Sequence, residues 1–299
     1  MTQAAGVAHL AGQMLRDYDA HTPGTPFANG LRLSVEEAYQ LQKQVAQLRE
    51  SRGERVVGYK IGCVCQGNQE SNGLSHPVYG RLWSSEQYVS EVALATSEFS
   101  NVAIEGELAI SLRKNVDASD ASIPAIAAAV DRVFPVIELH NLVLHGDRPT
   151  GAELIGNNAI HAGVVRSAGT RPPKAPVCTD LSVVLDGRTV AHWSDRRWPE
   201  DILKAVPWLV VELERDDRQL MAGQTILTGS WGPPLPLERR ASPGTPPGSP
   251  FGWNNVHADV APIERQVVSR VNVLSSLFGE VRASFSAVDG VPRKNIQGT

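Results

Sequence analysis

Cysteine is nearly absent from this chain: Cys63, Cys65 and Cys178 are the only three. Three thiols cannot build a disulfide framework. Cys63 and Cys65 fall on one face of an expected strand, with no second pair to complete a zinc site. They read as buried structural thiols. Basic charge is also in short supply. Lys and Arg total 28 against 32 Asp and Glu, a net charge of -4 with a pI near 6.1, so the electrostatic footprint of a nucleic-acid partner is missing. No window approaches the roughly 18 uninterrupted apolar residues of a membrane span. The first residues lack a basic stretch followed by an apolar core, so nothing there reads as a cleavable signal. A cytoplasmic protein is the expectation. There is no internal repeat.

What remains is an ordinary globular composition, 42% hydrophobic and 20% charged over 299 residues, enough for one large domain or a small one plus a large one. Val7, Leu10, Met14 and Leu15 share one helical face over residues 5–20. Ser34 and Glu37 form a capping box that opens a second helix. Val35, Ala38, Leu41, Val45 and Leu48 line its expected buried face, and Arg52-Gly53 ends it. The period then shifts to that of strands, at about 55–65 (including Cys63 and Cys65), 102–112, 133–139, 256–260 and 280–285. A hairpin is expected at 181–190 around Asp186-Gly187. Residues 66–80 read as polar and irregular, with Pro77, Tyr79 and Gly80 in a turn. Ser122–Val130 reads as a short helix with Pro124 in its first turn. Trp198–Leu213 reads as a helix with Pro199 near its start, either kinked or split into two pieces at Pro207. The expected organisation is a helical cap over 1–54 and a mixed-β core over 55–299, interrupted by an irregular Pro/Gly-rich loop at 231–252. The fold class is α+β.

The chemistry concentrates in Ile104-Glu105-Gly106-Glu107-Leu108. In a strand, Glu105 and Glu107 point to the same face. They lie either on the wet face of an edge strand or, in low dielectric, side by side where they share a proton or bind a cation. Glu138 favours the second reading, because it stands in the apolar run Val133–Leu139, where an unpaired carboxylate is costly. Three glutamates make an oxygen-only site for Mg²⁺ or a similar ion. Lys60, within the first strand, is either a snorkelling side chain or a cation beside the acids. His140, His145 and His161 lack zinc-ligand spacing and any nucleophile context, so they read as structural or supporting groups.

Gly58-Tyr59-Lys60-Ile61-Gly62, Ile104-Glu105-Gly106-Glu107, Pro135-Val136-Ile137-Glu138, Asn157-Asn158-Ala159 and Ile226-Leu227-Thr228-Gly229-Ser230 occur in the order found in 2-keto-4-pentenoate hydratases and 4-oxalocrotonate decarboxylases. The chain thus resembles these branches of the fumarylacetoacetate hydrolase superfamily from the Ser34 helix to about Phe285. The resemblance implies a mixed-β roll with an N-terminal helical part, a homo-oligomer and a role in aromatic-compound catabolism. It implies one Mg²⁺ or Mn²⁺ held by Glu105, Glu107 and Glu138. It also implies a 2-oxo or 2-hydroxydienoic acid as substrate, hydrated through an enolate whose negative charge the ion stabilises. Lys60 would move a proton or hold substrate charge, and Thr228, Ser230 and Asn158 would contact the substrate. Decarboxylation, C–C hydrolysis or a non-catalytic partner subunit are the alternatives on the same scaffold. Val78 stands where family hydratases usually carry an acid, and Val64 where they carry a threonine. Ser194–Pro199 replaces a Gly-rich turn, and residues 231–252 and 262–279 look inserted. These departures point to an unusual substrate.

Overall fold

The computed structural model describes residues 3–145, 151–237 and 268–286. Helices α1 (Gln3–Asp19), α2 (Thr25–Ala28) and α3 (Val35–Ser51) come first. The capping box forms: Ser34 Oγ accepts from the Glu37 N–H, and the Glu37 carboxylate accepts from the Ser34 N–H. The buried face of α3 differs from the expected one. It carries Ala38, Leu41, Gln42, Ala46 and Arg49, while Leu48 is exposed. Polar Gln42 is buried because its amide donates to the carbonyls of Tyr79 and Ile155. Arg49 is buried because it pairs with Glu86 and Glu54.

β1 (Val56–Gly62) ends at Gly62, earlier than expected, because Cys63 turns the chain at φ 53°. The two thiols therefore do not share a strand face. Cys63 is half-buried, and Cys65 and Cys178 are exposed. The polar segment that follows contains α4 (Gln66–Ser71), none of whose residues is buried. It showed no apolar period because it packs no face. Tyr79 and Gly80 lie not in a turn but in β2 (Val78–Trp83), which is buried throughout.

β3 (Gln87–Val89), β4 (Val92–Ala95) and β5 (Val102–Leu112) follow, then α5 (Ile123–Ala129), β6 (Val130–Asn141), α6 (Gly151–Gly156) and β7 (His161–Arg166). Ser122 caps α5 by accepting from the Ala125 N–H. β8 (Val177–Leu185) and β9 (Arg188–Trp198) form the expected hairpin, with Asp186 and Gly187 both left-handed as a two-residue turn of this kind requires. Pro207 does not kink a helix. It sits in the first turn of α7 (Val206–Arg215), where its missing N–H has no intrahelical partner to lose. β10 (Thr225–Leu227), β11 (Leu235–Pro236), β12 (Val268–Ser275) and β13 (Gly279–Ser286) complete the described chain.

The larger sheet is mixed, in the order β2-β1-β10-β5-β6-β7-β3, with β11 also paired to β5. The second sheet runs β4-β13-β12-β8-β9. Residues 268–275, within the stretch expected to be inserted, form an internal strand of that sheet. The expected strand at 256–260 and most of the 231–252 loop lie outside the described residues. The architecture is α+β. Among the described residues, no helix is long and apolar enough to cross a membrane.

Ile104, Leu108 and Ile110 of β5 and Ile137 and Leu139 of β6 meet Leu181, Val183, Val271 and Val273 in one core between the sheets. Gly106 belongs to this inner face. A Cβ there would run into Val183 and come within 3.1 Å of Val273. Glycine between the two glutamates therefore sets how closely the sheets approach. Gly106→Ala should lower folding stability by about 1–3 kcal/mol through overpacking, measured by urea denaturation. An unchanged midpoint would contradict this close approach.

Candidate metal centre

Register assembles the site. Glu105 on β5 lies directly opposite Glu138 on β6, and Glu107 lies opposite Val136. Alternation then puts Glu105, Glu107, Glu138 and His140 on the sheet face turned away from the second sheet. On the other side of β5, Leu227 pairs with Ala109 and also with Lys60. Lys60 therefore shares that face. Glu107, Glu138, His140 and Lys60 are buried, and Glu105 is half-buried.

Lys60 Nζ lies 3.1 Å from Glu138 Oε1 and donates to the Ala159 carbonyl at 3.2 Å. That carbonyl is delivered by three successive left-handed residues, Asn158, Ala159 and Ile160, with φ of 55°, 52° and 55°. Each costs about 1–2 kcal/mol in a non-glycine residue, so the surroundings must enforce them. Asn158 does much of this. Its Oδ1 accepts from the Arg81 N–H at 2.7 Å, and its Nδ2 donates to the Arg81 carbonyl at 2.9 Å. Gly80 leaves room, since a Cβ there would stand 2.5 Å from the Asn158 carbonyl oxygen. The amide of Asn158, expected to meet the substrate, is thus engaged with β2.

The turn after β10 is engaged in the same way. Thr228 Oγ1 donates to the Leu108 carbonyl, and Ser230 Oγ donates to the Gly232 carbonyl. Between them the Gly229 N–H donates to Glu107 Oε2 at 3.0 Å. Gly229 has φ 106°, and a Cβ would collide with Val64. The visible task of this turn is to hold Glu107, and the proton of each hydroxyl is committed to a backbone carbonyl. Val78 sits near the lysine: its Cγ2 and Lys60 Nζ both lie within 4 Å of where a Cβ on Gly62 would stand. The wall beside the ammonium is therefore apolar.

Charge is balanced locally. Burial alone would push the Lys60 pKa down, but Glu138, Glu105 and Glu107 outweigh it and hold the ammonium above the usual lysine range. Burial also disfavours the Glu138 carboxylate. Lys60, His140 and His161 overcome this and hold it well below the usual range. Glu107 goes the other way: burial and the neighbouring Glu138 and Glu105 push it well above, against Lys60 and the Gly229 N–H. A cation beside Glu107 would offset the same burial and repulsion.

Among the described residues, Glu107 Oε1 and Glu138 Oε2 are buried and have no hydrogen-bond partner. Orphaned carboxylate oxygens on one face are the donor chemistry a hard divalent cation requires. The residues fit such an ion. Ligand atoms of Glu105, Glu138 and His140 lie within 4.8 Å of one another, a grouping that does not include Glu107. His140 Nε2 contacts Glu105 Oε2 at 3.0 Å and Glu138 Oε2 at 3.5 Å. It had read only as a supporting group. Its signal was the spacing Glu138-x-His140, which puts both side chains on one strand face.

No protein-family model matches the chain. The fold is similar to a solved 4-oxalocrotonate decarboxylase from Pseudomonas putida G7, complexed with magnesium and adipate. That likeness has a TM-score of 0.73 at 17% identity and covers 95% of this chain and 99% of that one. The class is therefore a mixed-sheet fold of the fumarylacetoacetate hydrolase type. In sequence the chain is 31% identical over 222 residues to the 2-oxo-hept-4-ene-1,7-dioate hydratase of Escherichia coli, covering 69% of this chain and 80% of that protein. It is 29% identical over 226 residues to the 2-keto-4-pentenoate hydratase of Paraburkholderia xenovorans LB400, covering 72% and 82%. The chain belongs to the 2-keto-4-pentenoate hydratase family.

Asn158→Ala removes both hydrogen bonds to the Arg81 backbone. It should cost about 1–3 kcal/mol of stability, read by urea denaturation. Unchanged stability together with a raised KM would instead assign Asn158 to the substrate.

Proposed function

We propose that the protein is a divalent-metal-dependent hydro-lyase that hydrates a small 2-hydroxydienoic acid, in the manner its relatives' names describe. The observation that carries this reading is the β5–β6 register, which sets Glu105 opposite Glu138 with Glu107 and Lys60 on the same sheet face. Glu105, Glu107 and Glu138 would hold one Mg²⁺ or Mn²⁺, which supplies electrostatic stabilisation of negative charge on the 2-oxygen of a 2-oxo acid.

The chain's own groups handle protons and exclude water. Ketonisation of a 2-hydroxy-2,4-dienoate removes the hydroxyl proton and places one on C5, leaving a conjugated 2-oxo-3-enoate. Water then adds across that double bond, hydroxyl to C4 and hydrogen to C3. Lys60, held as an ammonium by the surrounding carboxylates, would neutralise the substrate carboxylate and deliver a proton from Nζ. His140 holds Glu105, and the Gly229 N–H holds Glu107. Val64 and Val78 keep the wall dry. Thr228, Ser230 and Asn158 support this wall through the backbone. The likeness to the decarboxylase is one of fold at 17% identity, so it adds no weight to loss of CO₂.

With Mg²⁺ or Mn²⁺ present, purified protein should consume 2-hydroxypenta-2,4-dienoate, followed by loss of its ultraviolet absorbance. EDTA should stop the reaction, and Lys60→Met should lower kcat by roughly 10²–10⁴-fold. Unchanged absorbance with this and longer-chain dienoates would defeat the hydratase reading.

A further inference from the structure

Glu138 is not held by its strand alone. His161 opens β7 with its ring fully buried, and its Nδ1 lies 2.7 Å from Glu138 Oε1. An ionised carboxylate only accepts hydrogen bonds, so Nδ1 carries the proton and donates it. The other ring nitrogen, Nε2, is buried without a partner. Facing it at 3.8 Å is Glu86 Oε2, also buried and also without a partner.

Glu86 is anchored from the far side by the N-terminal helices. Its Oε1 accepts from Tyr18 Oη of α1 at 2.6 Å and from Arg49 Nη2 of α3 at 2.6 Å. Arg49 in turn lies over the rings of Tyr18 and Trp83. A line of polar groups therefore runs from two helices, through Glu86 and His161, to one oxygen of Glu138.

The gap in this line is 3.8 Å, too long for a direct hydrogen bond. Across the gap the Glu86 carboxylate faces the Nε2 side of the ring. A cavity of about 40 Å³ borders this line; its lining includes Tyr18, Arg49, Trp83, Asn157 and His161 but not Glu86.

We propose that His161 and Glu86, facing each other across this gap, are the positioning pair that orients the Glu138 carboxylate toward a divalent ion. They thereby tie ion affinity to the docking of α1 and α3. The proposal rests on Glu138 being an ion ligand. Neither residue touches substrate; both act through Glu138.

The test is Mn²⁺ affinity of the purified full chain, read from the free-ion EPR signal and compared among variants that keep the parent's circular dichroism spectrum. Glu138→Gln is the reference and should abolish tight binding; unchanged affinity there would overturn the ion-ligand reading itself. His161→Leu should weaken Mn²⁺ binding 10–100-fold, the usual cost of removing a group that orients a ligand. Glu86→Gln should weaken it by about 10-fold or more. His161→Asn, whose amide can replace the Nδ1 donor, should recover more affinity than His161→Gln, whose amide reaches toward the Nε2 side. That comparison decides the matter even if His161→Leu fails to fold. If His161→Leu or Glu86→Gln melts earlier yet binds Mn²⁺ as the parent does, or if Asn and Gln at 161 bind equally, the pair is a packing feature and the proposal is wrong.

Discussion

The pairing of Glu105 with Glu138 across β5 and β6 is the constraint on which the rest of the site depends. It sets two carboxylates side by side on a sheet face, and alternation adds Glu107 to them. In low dielectric such a cluster repels itself and has lost its hydration. Nearly every nearby feature supplies compensation. Lys60 brings positive charge, and the Gly229 N–H and the two histidines bring hydrogen bonds. A divalent cation is the compensation the remaining orphaned oxygens fit.

Backbone features that are individually unfavourable make sense against this requirement. The left-handed run Asn158–Ile160 directs a carbonyl at Lys60. Gly229 adopts a φ that other residues avoid, so that its N–H meets Glu107 beside Val64. Gly106 lets the second sheet press against the back of the cluster. Strain at a site persists when its surroundings over-determine it. Here two hydrogen bonds to Arg81, the sheet register and the core between the sheets do so.

Much of this could be read in the sequence. Strand spacing is legible over 102–112 because apolar residues flank the two glutamates on both sides, and Glu138 stands out because a carboxylate in a doubly buried run needs a partner. Other features resisted for physical reasons. α4 packs no face and so leaves no period. Gln42 and Arg49 are buried polar residues, whose burial depends on partners elsewhere in the chain. The side chains of Asn158 and Thr228 engage backbone 77 and 120 residues away, so local pattern could not separate support of the wall from contact with substrate. Glu86 gave no signal at all, because its partners come from α1, α3 and β7.

The central claim is that Glu105, Glu107 and Glu138 together hold a divalent ion on the face shared with Lys60. A crystal structure of the protein grown with Mn²⁺ and oxalate, a stable stand-in for a 2-oxo acid, tests it most directly through anomalous scattering from the ion. The account predicts a single strong anomalous peak within about 2.0–2.4 Å of an oxygen from each of the three glutamates, with oxalate completing the coordination. A peak bound by Glu105, Glu138 and His140 without Glu107, or no peak on this face, would contradict it.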